Sequence, residues 1–210
     1  MNQFADVMEI VSAPVVPVET EPSDFLSFQV PQIKNADDFY VFCQENPDYL
    51  FEREADGRII VMPNTGGVTG IRNSEINADV IIWNRQAKVG VGFNSSTAFS
   101  LPDGSTRSPD VAWTSRDRWE ALTEQEQKKF PPICPDFVIE LLSETDSLKA
   151  VKAKMEAVWI ANGCRLAWLI DPKTQTTHIF RANGEIQIVG FDKPLSGEDV
   201  LAGFALTLQP

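Results

Sequence analysis

Two carboxylates interrupt otherwise apolar segments of this sequence. Asp110 directly precedes the apolar residues 111–113, and Glu140 lies inside the apolar run 137–142. Burying an unpaired ionised carboxylate costs free energy, so each of these groups must form an ion pair or bind a cation. Two such residues on neighbouring core strands favour a shared metal site. Because the ligands are hard oxygen atoms and no histidine or cysteine accompanies them, we expect Mg²⁺ or Mn²⁺ rather than Zn²⁺.

Lysines and a third acid could complete such a site. The helix predicted after Glu140 carries Lys149, Lys152 and Lys154, and its apolar stripe leaves Lys152 and Lys154 on opposite flanks. Either could reach over the strand ends, or could cover apolar surface with its methylene stem. Glu75 lies among apolar neighbours on an earlier helix. It is either a carboxylate that complements the helix dipole or one that points into the site.

Histidine and cysteine chemistry has little support in the sequence. The single histidine, His178, lies in a strand-like segment, and no G-x-S-x-G motif accompanies it. Cys43, Cys134 and Cys164 are far apart and form no C-x-x-C, which fits reduced thiols in the cytoplasm. The sequence therefore assigns any catalysis to carboxylates and lysines.

The charge balance limits how the chain could meet nucleic acid. The 210 residues include 18 Lys and Arg against 30 Asp and Glu, giving a net charge of −12. That balance argues against binding nucleic acid through a generally basic surface, but not against a cation that meets the phosphate locally. No apolar run approaches the roughly 18 residues of a membrane span. Residues 1–24 are predicted to form an acidic, proline-containing tail, and residues 25–210 a single domain.

The hydrophobic patterns predict an α/β domain. We expect a helix at 71–87, strands at 91–101, 108–114 and 136–143, a helix from 146 or 147 to about 162, and a strand at 166–170. A helix at 35–46 and a hairpin at 49–62 precede this core, and a second hairpin at 177–189 follows it. A charged helical segment at 116–130 lies between the strands at 108–114 and 136–143. The unbroken apolar run at 136–143 indicates a central strand of a mixed sheet.

From about Phe51 to Phe204 the sequence resembles the Uma-type family of proposed restriction endonucleases, long classed as a domain of unknown function. This family resembles the PD-(D/E)XK nucleases, and the resemblance implies a restriction-endonuclease-like fold with a core of helix, three strands, helix and strand, plus extra N-terminal and C-terminal hairpins. The matching segments are 56–57, 62–63, 72–77, 108–111, 130–132, 135–141, 154–155, 168–172 and 195–198.

The resemblance also implies roles for individual residues. Asp110 matches the metal-binding aspartate and Glu140 the second acidic ligand. Glu75 lies on the first core helix, where many of these nucleases place another acid. Glu52 matches a family acid near the first hairpin and is a weaker candidate.

The expected lysine is displaced in this sequence. In the superfamily it stands two residues after the glutamate, and that position is Leu142 here. The resemblance implies that the lysine has moved to the following helix, which favours Lys154 over Lys152.

The expected function is therefore metal-dependent hydrolysis of nucleic-acid phosphodiester bonds, with DNA as the favoured substrate. No membrane partner is expected, and a homodimer is an arrangement that the superfamily allows. Two alternatives remain open. A catalytically decayed nuclease fold could act as a binding module, which Leu142 and the net charge favour, or the acidic residues 1–24 could mediate protein interactions.

Overall fold

The computed structural model describes residues 26–209 and the backbone of one two-residue strand before them. The predicted tail, residues 1–24, lies outside the described residues except for that strand. The elements in chain order are β1 (Val16–Pro17), β2 (Ser27–Gln29), α1 (Ala36–Glu45), β3 (Leu50–Arg53), β4 (Ile59–Met62), α2 (Gly67–Ala87), β5 (Gly90–Asn94), β6 (Phe99–Ser100), β7 (Thr106–Arg107), β8 (Val111–Ser115), α3 (Arg116–Glu120), α4 (Glu124–Lys128), β9 (Phe137–Leu141), α5 (Leu148–Lys154), β10 (Leu166–Asp171), β11 (Thr176–Arg181), β12 (Ile186–Gly190), β13 (Leu195–Ser196) and β14 (Ala205–Leu206).

The main sheet has six strands in the order β12-β11-β10-β9-β8-β5. Strand β8 is antiparallel to both β5 and β9, whereas β10 runs parallel to β9. A parallel pair needs a crossover connection, and α5 supplies it. The sequence of α2, three strands, α5 and one strand is the predicted core, and the mixed sheet is confirmed.

The two core helices cover opposite faces of this sheet. Ile76 and Val80 of α2 pack in one apolar cluster with Ile139 of β9. Met155 and Trp159, which follow α5, pack in another. Every residue of β9 and β10 is buried, as expected for strands covered on both faces.

A second sheet carries the N-terminal hairpin, with the strand order β1-β2-β4-β3-β7-β6. The predicted turn at Asp56-Gly57 joins β3 to β4, and Gly57 takes a positive φ of 89° that suits glycine. Helix α1 begins after the N-cap Asn35 and buries Phe39 and Phe42 against this sheet. Strands β3 and β7 lie side by side in this sheet.

The prediction of a single strand at 91–101 is wrong, because the chain forms two short strands there, β5 and β6, which belong to different sheets. Between β5 and β6 it turns at Asn94, whose Oδ1 accepts from the N–H of Ser96 and from the hydroxyl of Thr97. Asn and Ser side chains that bond nearby backbone groups favour turns over strands, and here that effect outweighs the apolar pattern. Helix α2 also begins earlier than predicted, at Gly67, and the segment predicted at 116–130 forms two short helices.

The second core helix changes its hydrogen-bonding pattern partway along. Ser147 caps α5 by accepting from the N–H of Ala150, as expected for that position. From Met155 to Ile160 the helix continues as a π-helical turn, in which Ala161 N–H donates to the Glu156 carbonyl five residues earlier. Within the described part of the chain, no helix has the length and apolar character needed to cross a membrane.

Candidate active site

Asp110 directly precedes β8 and lies opposite Glu140 of β9. The register pairs Val111 with Ile139, so the next pair along is Asp110 and Glu140, with both side chains on one face. Asp110 Oδ1 accepts from Asn73 Nδ2 at 2.6 Å, and Oδ2 accepts from the Leu141 N–H at 2.7 Å. These bonds fix the Asp110 carboxylate between α2 and β9.

Glu140 lies near the end of the central strand and is 8% exposed. Its Oε1 accepts from Lys154 Nζ at 2.9 Å and from Trp159 Nε1 at 2.8 Å. Within residues 26–209, hydrogen bonds to this carboxylate reach Oε1 alone. The second oxygen, Oε2, is therefore available to another partner.

The N-terminal sheet contributes a second acid, Glu52, that contacts Lys154. Lys154 Nζ lies 3.8 Å from Oε1 of Glu52, a residue that is only 2% exposed. Glu52 also accepts from Arg107 Nη1 at 3.0 Å and from the Ser108 N–H at 2.9 Å. Arg107 is buried as well and pairs with Glu54. Lys154 thus joins an acid from each of the two sheets.

Burial sets the ionisation of the carboxylates. Burial, opposed by Lys154 but reinforced by Asp110 and Glu52, raises the pKa of Glu140 to about 7. Burial likewise raises the pKa of Asp110, although the Leu141 N–H, Lys154 and Asn73 act against it. For Glu52 the effect of burial is outweighed by Lys154, Arg107 and the Ser108 N–H, so its pKa falls below the usual value. A nearby positive charge would therefore stabilise the ionised forms of Glu140 and Asp110 more than that of Glu52.

Burial would lower the pKa of Lys154, but Glu140 and Glu52 outweigh it and raise the pKa above the ordinary lysine value. Lys154 is therefore a protonated ammonium at neutral pH. It is a fixed positive charge beside Glu140.

The structure brings Asp110, Glu140, Lys154 and Glu52 together and leaves two other predicted candidates outside the group. Glu75 is exposed on α2 and, among the described residues, forms no hydrogen bond or ion pair with these four. It lines a cavity of about 620 Å³ with Leu141 and Ile170. Because Ile76 of α2 packs on the face of the sheet opposite Trp159, Glu75 approaches from the other side. Its role stays a prediction.

Lys152 points elsewhere. It lies close enough to His178 of β11 to act with burial in lowering the pKa of that imidazole. Lys154, not Lys152, is the lysine that contacts the acids.

Sequence reasoning missed three side chains that hold the group in place. Asn73 lies inside the matching segment 72–77, which is the signal that could have identified it. Arg107 precedes the matching segment 108–111, but nothing in its local sequence shows that it pairs with β3. Trp159 looks like an ordinary member of the helix's apolar stripe.

The two carboxylates of Asp110 and Glu140 fit a magnesium-like cation better than zinc or calcium. Among the described residues, no group of three or more His, Cys, Asp or Glu side chains could hold a metal. A zinc site or an all-protein calcium cage needs more ligands than Asp110 and Glu140 provide. Mg²⁺ is bound by one or two carboxylates and keeps water molecules for its other positions, so these two acids suit it. Both Glu52 oxygens already contact positive groups, so Glu52 is better placed to hold Lys154.

Comparison with known proteins agrees with this fold. The profile of the family Uma2, described as "Putative restriction endonuclease", matches residues 36–209. The crystal structure of a putative nuclease belonging to DUF820 from Anabaena variabilis superposes with a TM-score of 0.63 at 22% identity, covering 75% of this chain and 86% of that one. No curated protein matches the sequence.

Proposed function

The chain belongs to the Uma2 family, described as "Putative restriction endonuclease", and we propose that it is a metal-dependent endonuclease that hydrolyses nucleic-acid phosphodiester bonds, with DNA as the substrate. The observation that carries the proposal is the pairing of Asp110 with Glu140, with Lys154 Nζ 2.9 Å from Glu140. Two buried acids with raised pKa values and an adjacent fixed ammonium form a site suited to a cation and an anionic oxygen.

Asp110 and Glu140 would hold Mg²⁺ or Mn²⁺. When bound, such a cation polarises a phosphate oxygen and lowers the pKa of a bound water. Asn73 and the Leu141 N–H keep the Asp110 carboxylate oriented, and burial keeps bulk water from competing with the ligands. This assignment needs no histidine.

Lys154 would stabilise the negative charge that develops on the phosphate, or orient the attacking water. A preorganised cation beside the reacting atoms is worth far more in a buried site than in water. Glu52, held by Arg107 and Ser108, would keep the ammonium from swinging away. We retain Glu75 as a lesser candidate that acts from the α2 face.

The net charge of −12 supports a local mode of binding. A generally acidic protein repels the phosphate backbone at long range, so we expect weak affinity for nucleic acid in the absence of a cation. The sparse cysteines favour the cytoplasm as its location, and a homodimer remains an option.

A catalytically inactive binding module is the second candidate, and Leu142 is the observation that favours it. The side chain at this position is buried in the apolar cluster with Met155 and Trp159, so no lysine follows Glu140 on its own strand. The contact between Lys154 and Glu140 supports the enzyme instead, because it supplies the missing amine from α5.

Cleavage assays separate the two candidates. The purified chain is incubated with Mg²⁺ or Mn²⁺ and duplex DNA, single-stranded DNA, branched DNA or RNA, alongside Asp110→Asn and Glu140→Gln. Glu156→Gln, an exposed acid on the π-helical turn, is the matched control. We expect the two site variants to lose at least a hundredfold in rate while the control cuts normally. Equal, background-level cutting by the wild type and Asp110→Asn would refute the enzyme.

Thermal unfolding tests the metal separately from catalysis. A cation that binds only the folded state at 100 times its Kd stabilises it by about 2.7 kcal/mol. We expect Mn²⁺ to raise the Tm of the wild type but not that of Glu140→Gln. A metal response without cleavage of any substrate would favour the binding module.

A further inference from the structure

One oxygen of Glu140 receives two donors from the same helix. Lys154 Nζ and Trp159 Nε1 lie 2.9 Å and 2.8 Å from Oε1. Trp159 is fully buried, so its indole cannot exchange this partner for water. With both donors on Oε1, no hydrogen bond from residues 26–209 reaches Oε2.

The π-helical turn makes this double contact feasible. In a regular α-helix, with 3.6 residues per turn, residues five apart point about 140° away from each other. In the turn Met155–Ile160 the hydrogen bonds connect residues five apart, so Lys154 and Trp159 come onto a common side. The unusual backbone therefore directs two donors at one carboxylate.

The two donors differ in charge, and that difference separates their roles. Lys154 brings a positive charge that opposes a metal ion bound to the same acid. The indole N–H is a neutral donor, so it can orient the carboxylate without cancelling its charge. Trp159 also lies beside Lys154, whose Nζ is 6.0 Å from its ring centroid.

A tryptophan can be buried in this protein without a hydrogen bond from its indole N–H. Trp168 is equally buried on β10, yet its Nε1 has no hydrogen-bond partner among residues 26–209. The contact from Trp159 to Glu140 is therefore additional to its packing. Trp168 gives a matched control of the same size.

We propose that Trp159 is a positioning residue for Glu140, which it holds through Oε1 so that Oε2 is presented to the cation. The proposal rests on the proposed function, because it assigns Glu140 as a metal ligand. Groups that orient metal ligands typically change metal affinity by about 10- to 100-fold when they are removed.

Mn²⁺ affinity, measured by calorimetry on the full chain, tests the role. We expect Trp159→Phe to bind Mn²⁺ at least tenfold more weakly than the wild type. Trp168→Phe should lower the Tm through lost packing but leave the affinity within twofold. Equal Mn²⁺ affinity in Trp159→Phe and Trp168→Phe would overturn the proposal.

The indole N–H signals in ¹⁵N-labelled protein give a readout that requires no metal and no change at Trp159. After assignment by triple-resonance spectra, we expect Glu140→Gln to move the Trp159 signal and leave the Trp168 signal in place. An unchanged Trp159 signal would overturn the proposal even if Trp159→Phe did not fold. A wild type that binds no Mn²⁺ would instead refute the metal site of the proposed function, and the positioning role with it.

Discussion

Lys154 Nζ lies 2.9 Å from Glu140 Oε1, although the amine comes from a helix and the carboxylate from the central strand. The position two residues after Glu140, where the superfamily that the sequence resembles places its lysine, is Leu142 here and is packed into an apolar cluster. The chemistry of the site is therefore assembled across two elements, and it depends on how α5 lies against β9.

Removing the Lys154 ammonium should separate catalysis from metal binding. We expect Lys154→Gln to slow cleavage by about 100-fold, since it deletes a preorganised charge that acts in the transition state. The affinity for Mn²⁺ should stay the same or increase, because the substitution removes the ammonium that competes with the metal for Glu140. Single-turnover cleavage rates and calorimetry measure the two effects.

Lys152→Gln is the control for that variant, because Lys152 lies near His178 and not at the acids. Its cleavage rate should stay within twofold of the wild type. The assignment of Lys154 is wrong if the two variants cut at the same rate.

Arg107 should be a large contributor to stability. It is buried beside Glu52, which would keep only the 3.8 Å contact with Lys154 as an ionic partner after Arg107→Ala. Breaking a buried pair by removing one partner costs about 3–5 kcal/mol. Chemical denaturation should therefore show a loss of that order.

Lys128→Ala is the surface comparison, since Lys128 pairs with Glu124 in full contact with solvent. Exposed pairs of this kind contribute less than about 1 kcal/mol. Similar losses for Arg107→Ala and Lys128→Ala would contradict the buried network.

The metal-free protein should lose stability as the pH rises toward neutrality. Burial raises the pKa of Glu140 from its ordinary value to about 7, so between about pH 4.5 and 7 the folded state binds more protons than the unfolded state. The contribution of Glu140 to stability is then fully present below the unfolded pKa and is lost as the pH passes through the folded pKa, by about 3 kcal/mol. Denaturation in EDTA across this pH window measures the slope.

Glu140→Gln should flatten that slope and Glu156→Gln should preserve it. The glutamine cannot ionise, so the variant should show no loss of stability from this position between about pH 4.5 and 7. A slope that is identical in wild type and Glu140→Gln would exclude Glu140 as its source.

Glu75 provides a test of the one predicted acid that stands apart. Within residues 26–209, the Glu75 carboxylate forms no hydrogen bond or ion pair with Asp110, Glu140 or Lys154. We therefore expect Glu75→Gln to reduce the cleavage rate by less than tenfold. Asp79→Asn, which changes another acid lining the same cavity, is its control. A loss as large as that of Asp110→Asn would show that Glu75 reaches the reacting atoms once substrate binds.

Much of the architecture could be predicted because apolar periodicity is a local property of the chain. The order of α2, three strands, α5 and β10 followed from it, and Asp110 and Glu140 stood out because they broke apolar runs. The break between β5 and β6 was missed because Asn94 turns the chain inside a segment that still looks strand-like.

The support of the site could not be predicted, because it depends on contacts between distant elements. Arg107 is buried only because β7 pairs with β3, and β7 is two residues long. Nothing in the apolar stripe of α5 distinguishes a π-helical turn from a regular one, so the approach of Trp159 to Glu140 had no sequence signal. Glu52 is a weak candidate from the sequence, because nothing local shows that the N-terminal sheet reaches Lys154.

The burial of Leu142 also has a consequence for finding related enzymes. A search that requires a lysine two positions after the acid would pass over this chain, since the amine arrives from α5 and its distance along the sequence is free to vary with the intervening loop. A three-dimensional template defined by Glu140 Oε1, Asp110 and an ammonium within about 3 Å would recognise it, as expected for a charged hydrogen bond. Nuclease folds classed as inactive for lack of that lysine are therefore worth inspecting for an amine supplied by the neighbouring helix.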